Sequence, residues 1–458
     1  MARFEDHFLT RREVMRIGSV AVTGYHFLPI VQPKAKATGT TAPAEGKARF
    51  CIFVMLEGGQ SHVDAWDFKQ GPWTPEDFAA QTLPGVGKWP MGLYPELAKR
   101  RDKYSLMRSM ATWESQHGRG QYYMQTGHQH NPALAPELPS VGSVVAYEYA
   151  SRRKPDDSLP PFVGFNTFPQ VGLIGSGFLP ATYTPFHVNT SSDISSLAPR
   201  EEDLPNFKRR WELLQRFDGR MRSDPALERK AYRDFHNHYE GAVEIMSDPR
   251  SAGIFSISAE DKARYGSNPV GDSFVLARNL VVADAGTHFI FLTHEDWDHH
   301  GSIYEQRNFY QRSKELDTAL SQLLDDLDQT KRDDGMSVLD ETLVVCVGEF
   351  GRTPGALTNI AGRDHYQYAF TGLFAGGGVV PGQVLGATDD SGAEITDFGW
   401  SGNRPVYPED MVTTIYAAMG IDWTKSIEET PSGRVYHYIE IFSPTRMLAN
   451  RVVRELFA

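Results

Sequence analysis

The sequence predicts an α/β protein: a mostly parallel central sheet with helices on both faces. Three observations lead there. Short continuous apolar runs recur along the chain, FCIFVML at Phe50–Leu56 being the first, and runs of this length without alternation suit strands buried on both faces. Segments with helical spacing separate them. Clusters of carboxylates and histidines follow four of the runs, and open α/β sheets carry their sites outside the carboxyl ends of their strands.

Taken in order, residues 1–37 read as an export signal. Thr10–Arg11–Arg12 precedes the weakly apolar IGSVAVTGYHFLPIV, and Ala35–Lys36–Ala37 offers a small-x-small cleavage site. This pattern makes a signal peptide, and the paired Arg11 and Arg12 point to the twin-arginine translocation machinery. The expected destination is periplasmic or extracellular, with no stable transmembrane segment once the signal is cleaved. Residues 38–48 read as a linker, and 49–458 as one domain.

In that domain Phe50–Leu56 is the first strand, ended by Gly58–Gly59. Residues 92–103 have helical spacing, YSLMRSM (104–110) reads as a strand, and 140–152 is helical again. Residues 155–199, rich in Pro, Gly and Ser, read as loop-rich with short β segments. The charged stretch 200–250 reads as two or three helices capping one face, so the insertion spans about 155–265. His236 and His238 within it read as solvent-facing. From 270 the α/β rhythm returns: SFVLARNLVVAD as a helix, THFIFLT as a strand, a long amphipathic helix to Gly335, TLVVCVGEF and YAFTGLFAGGGV as strands, and YPEDMVTTIYAAMGI as a late helix.

Bulk properties exclude several classes. The 458 residues, 40% hydrophobic, suffice for one large core or two ordinary ones. A formal charge of −12 argues against a nucleic-acid partner. Cys51 and Cys346 lie in strand-type runs outside any CxxC and read as buried thiols, with a disulfide between neighbouring strands the alternative. Gly376–Gly378 is a turn rather than a dinucleotide fingerprint. The chain contains no G-x-S-x-G elbow.

The chemistry gathers at the four strand ends. EGGQSHVDAWDFK supplies Glu57, Ser61, His62 and Asp64; ATWESQHGRGQYYMQTGHQH supplies Ser115, His117, Arg119, Thr126, His128 and His130; THEDWDHHG supplies Asp298, His299 and His300; GEFGRT and GRDHY supply Glu349, Arg352, Asp364 and His365. A single loop histidine is ordinarily just hydrogen-bonded; four such clusters on one rim suggest a divalent-metal site. Imidazole with carboxylate suits zinc, manganese or a similar ion. Asp298, His300, Glu349, His365 and Glu57 are the expected ligands for one or two ions. Asp298 and His300, two apart, face one way, and His299 another. Ser61, Ser115 and His117 are catalytic candidates with Arg119, and Arg119 or Arg352 could clamp an anion. Thr126 is a further hydroxyl; His128 and His130 read as structural.

These motifs, in this order behind a twin-arginine signal, resemble the bacterial domain-of-unknown-function family 1501 over roughly residues 50–445. The resemblance implies the fold of the alkaline phosphatase and sulfatase superfamily. It implies that Asp298, His300 and His365 fall at metal positions, Glu57 at the first-strand acidic position, and Ser115–His117 near the nucleophile. Phe350 follows Glu349 where the superfamily has a histidine, and neither cysteine sits in a Cys-x-Pro-Ser-Arg sequence. The expected function is an exported metal-dependent hydrolase of a small-molecule or polymeric phosphate or sulfate ester. The alternative is a non-catalytic periplasmic binding or surface-assembly protein retaining the fold.

Overall fold

The structure, a computed structural model, describes residues 35–36, 46–167, 172–191, 204–222, 240–439 and 452–457. Arg11, Arg12, Ala37, most of the 38–48 linker, His236 and His238 lie outside the described residues. Eight strands form the central sheet: β1 Phe50–Leu56, β2 Tyr104–Met110, β3 Phe162–Phe165, β4 Phe186–Val188, β5 Phe289–His294, β6 Thr342–Val347, β7 Phe370–Ala375 and β8 Val384–Leu385. Their order is β8-β2-β7-β6-β1-β5-β3-β4. All pairings are parallel except those of β7, which runs against both β2 and β6.

The longer helices are α1 His117–Thr126, α2 Val141–Tyr149, α3 Leu204–Arg222, α4 Pro269–Ala283, α5 Gln311–Gln329 and α6 Pro408–Ala418. Side chains alternate across the sheet with period two. Phe50, Ile52, Val54 and Leu56 of β1 therefore pack with α4 and α5, whereas Cys51, Phe53 and Met55 pack with α2 and α6. Every position of β1, β5, β6 and β7 is buried, as continuous apolar runs require. The fold is thus the expected mostly parallel sheet covered on both faces. Among the described residues no helix is long and apolar enough to cross a membrane.

Two local details depart from the sequence reading, and the cysteines follow its leading expectation of buried thiols. β3 and β4, in the stretch read as loop-rich, join the sheet edge in parallel beside β5; at four and three residues among Pro and Gly they show no period. β7 reverses direction, which its apolar run could not indicate. Cys51 and Cys346 are free and buried. Cys51 pairs with Leu343 while Cys346 pairs with Val54, and the two thiols face opposite sides of the sheet, so no disulfide joins them.

The direction of β7 matters for the site. The carboxyl ends of β1, β2, β5 and β6 and the amino end of β7 share one rim, so a loop entering β7 delivers its residues to the same place. Helix α1 starts at that rim and packs on α6. Tyr123 Oη donates to Glu409 there, and both residues are buried.

Burial raises the Glu409 carboxyl to about 7, with the negative charge of Asp410 adding to it. A carboxyl whose pKa is raised in the fold stabilises fully below its ordinary value near 4.5, and that contribution is lost as the pH rises through 7. Glu409→Gln should therefore flatten the fall in stability between pH 5 and 8, favouring the variant at pH 8 by on the order of 1–3 kcal/mol. Urea unfolding at the two pH values measures this; parallel pH profiles for parent and variant would contradict it.

Candidate metal centre

Where β1 ends, the chain must turn tightly against the segment that follows β5. Gly58 has φ +105, and a Cβ there would stand 2.4 Å from the backbone N of Asp298, so only glycine fits. The carbonyls of Gly58 and Gly59 accept from Arg352, the second through Nε at 3.1 Å. Arg352 also donates to Asp298 Oδ1 and, at 3.0 Å, to the carbonyl of Arg363. It is 1% exposed. The guanidinium considered above as an anion clamp is therefore spent on the protein's own backbone and on Asp298.

Arg363 is equally buried and chelates Asp64 through Nε at 2.6 Å and Nη2 at 3.1 Å. Asp64 also accepts from Tyr304 Oη at 2.8 Å and from Ser61 Oγ at 2.6 Å. One carboxylate thus joins the loops that follow β1, β5 and β6. Ser61, 2% exposed, is engaged in this network.

On this frame three histidines converge. His117, the first residue of α1, places Nδ1 2.7 Å from Glu349 Oε1, which also accepts from the Gly58 N–H at 3.0 Å. His300 Nδ1 lies 2.9 Å from Asp364 Oδ1, and His365 Nδ1 lies 2.6 Å from the Ser115 carbonyl. Each Nδ1 meets an acceptor, which favours a proton there and turns each Nε2 inward, as a lone pair wherever the ring is neutral. The inward atoms crowd: His300 Nε2 is 3.0 Å from His365 Nε2 and 3.0 Å from Asp298 Oδ1, and His117 Nε2 is 3.2 Å from Asp298 Oδ2. The buried His117 Nε2 has no aligned hydrogen-bond partner. Ligand atoms of His117, Asp298, His300 and His365 all lie within 4.8 Å of one another.

The electrostatics favour positive charge at the cluster. Burial opposes charge on His117, but the neighbouring carboxylates of Asp298 and Glu349 outweigh it and lift the ring to about 9. Burial likewise pushes Asp298 up, yet His117, His365 and Arg352 hold it far below the usual carboxylate range. Glu57, half-buried, accepts from Gln121 at 2.8 Å; burial and the neighbouring Glu349 charge raise it to about 7. The converging group therefore includes His117, read from sequence as catalytic, while Glu349 reaches the group through His117 Nδ1 and Glu57 lies beside Glu349.

The remaining candidates fall as follows. Ser115 is exposed, and its carbonyl orients His365. Arg119 is exposed and paired with Glu114. Thr126 Oγ1 donates to the Tyr122 carbonyl. His128 packs on Tyr436 and His130 on Tyr122. His299 is buried against Phe309, and desolvation lowers it to about 4. Sequence reading missed the Asp64–Arg363–Tyr304 network and the backbone acceptor at Ser115, neither of which leaves a sequence pattern.

The chain belongs to the family described as protein of unknown function (DUF1501), which it matches over residues 48–438. Among solved structures it is similar to a protein in the alkaline phosphatase superfamily from Vibrio parahaemolyticus, at 11% identity and TM-score 0.39, covering 98% of this chain and 95% of that one. It is also similar to a sulfatase from Pseudoalteromonas sp., at 12% identity and TM-score 0.39, covering 89% and 74%. A third similar structure is a phosphonate monoester hydrolase from Silicibacter pomeroyi, at 13% identity and TM-score 0.36, covering 89% and 77%. These likenesses are too distant to assign a residue. No curated protein matches the sequence.

Removing one partner of a buried ion pair strands the other charge, at roughly 3–5 kcal/mol. Asp64→Ala should therefore lower stability by about that much, seen as a reduced urea midpoint at unchanged slope, because Arg363 is left inside. A midpoint equal to the parent's would show that the pair does not hold the rim together.

Proposed function

We propose that this protein is an exported, metal-dependent hydrolase of a phosphate or sulfate ester, with His117, Asp298, His300 and His365 as ligands to a divalent ion. The observation that carries it is the convergence of three imidazole Nε2 atoms and one carboxylate, with each Nδ1 held by an acceptor outside the cluster. Lone pairs at 3.0 Å repel unless a proton or a cation lies between them, and an N/O donor set of this kind suits zinc or manganese. A divalent ion bound there supplies Lewis-acid polarisation of a phosphoryl or sulfuryl oxygen.

The chain's own residues do the rest. Glu349 fixes the tautomer and angle of His117, Asp364 does so for His300, and the Ser115 carbonyl for His365. Arg352 holds Asp298 against the turn at Gly58. Arg119, exposed at the start of α1, is placed to meet a substrate anion by exchanging its pairing with Glu114. Glu57, with its raised carboxyl, is placed to hold or release a proton at its Oε atoms, or to help hold a second ion beside Glu349. Ser61 and Thr126 are committed to internal hydrogen bonds, which leaves Ser115 as the hydroxyl open to solvent. Export rests on the Arg11–Arg12 pattern, and a periplasmic or extracellular setting follows from it.

Protein purified from its native compartment should carry one or two equivalents of metal, and the His300→Ala/His365→Ala double variant should carry none. Glu349→Gln should weaken zinc or manganese affinity by roughly 10–100-fold, measured by calorimetric titration, with the fold retained by circular dichroism. Metal-free, fully folded parent protein, inert towards a panel of phosphate and sulfate monoesters, would sink this reading and leave a binding protein.

A further inference from the structure

Helix α3 departs from the rest of the chain in its charge. In a protein of formal charge −12, Leu204–Arg222 carries six Lys and Arg against two acidic residues. At 3.6 residues per turn, Leu213, Phe217 and Leu214 fall on one strip. They are 45%, 73% and 37% exposed. Arg210 lies within the strip and Arg209 and Arg216 along its edge, all three exposed. Phe207, Trp211 and Gln215 occupy the adjoining face and are half-buried, so the strip is the more exposed side of the helix.

Three large apolar side chains held in water are costly unless something covers them. We propose that α3 is an interfacial anchor that lays this strip on an anionic lipid bilayer. Phe217, Leu213 and Leu214 enter the boundary between headgroups and acyl chains, while Arg209, Arg210 and Arg216 pair with lipid phosphates. Charge complementarity selects this occupant. The remainder of the chain is net acidic and repelled by an anionic surface, so the basic helix sets the orientation of docking. A second copy of the chain is the competing occupant, since its acidic surface also attracts guanidinium groups. The strip favours the bilayer because apolar tips and guanidiniums interleave along it, and a membrane interface offers hydrocarbon and phosphate side by side along its whole plane. The anchor is independent of the metal centre and would stand if the hydrolase reading failed.

The test is co-sedimentation of the full chain with vesicles of phosphatidylcholine alone and of phosphatidylcholine with an equal part of phosphatidylglycerol. The parent should bind the anionic vesicles, bind the neutral ones weakly, and be released by salt. Phe217→Ser should lower the partition coefficient about tenfold. The triple variant Arg209→Gln/Arg210→Gln/Arg216→Gln should lower it on the order of 100-fold, at about 1 kcal/mol per basic residue. All these positions are exposed, so thermal melting should be unchanged and folding is not at issue. Equal partition of parent and variants, or no binding to anionic vesicles, would overturn the proposal. A concentration-dependent dimer abolished by Phe217→Ser, without vesicle binding, would overturn it in favour of the second copy.

Discussion

Two guanidinium groups without access to water, those of Arg352 and Arg363, constrain everything at the carboxyl end of this sheet. Arginine does not give up its proton in a protein interior, so each charge must be met where it lies. Arg363 is met by Asp64 and, through that carboxylate, by Tyr304 and Ser61. Arg352 is met by Asp298 and by the carbonyls of Gly58, Gly59 and Arg363. The two groups are linked to one another, and together they fasten the loops that leave β1, β5 and β6. Loops that would otherwise fluctuate independently become one rigid rim, as a site of fixed geometry requires.

The candidate metal centre inherits its order from that rim. Asp298 is placed by Arg352, and the three histidines are placed by acceptors that lie outside the cluster: a buried glutamate, an exposed aspartate and a backbone carbonyl. Burial grades across it, from His117 at 8% side-chain exposure to His300 at 43%. The inner side is dry and preorganised and the outer side is open, which is the asymmetry expected of a centre that exchanges a ligand with solvent.

Sheet topology explains how residues so far apart in sequence meet. β1, β6 and β5 are neighbours in the sheet, and β2 is separated from β6 only by β7. Because β7 runs against them, the segment from Arg363 to His365 approaches the rim before the strand begins instead of after it ends. A fifth parallel strand in that place would have delivered the same residues to the opposite edge, out of reach of Asp298.

The sequence by itself determined a good deal. Short, largely apolar runs marked the five central strands and hence a sheet buried on both faces, because strands with no solvent side have no need to alternate. Clustered carboxylates and histidines after four of those runs marked the rim, because parallel strands present their carboxyl ends together. What the tertiary structure decided was the division of labour. That Glu349 orients His117, that Arg352 is sealed inside, that a Ser115 carbonyl aims His365, and that the two cysteines face opposite sides of the sheet are all consequences of register and side-chain direction. Those are set by packing between segments far apart in the chain, and composition and spacing within one segment do not encode them.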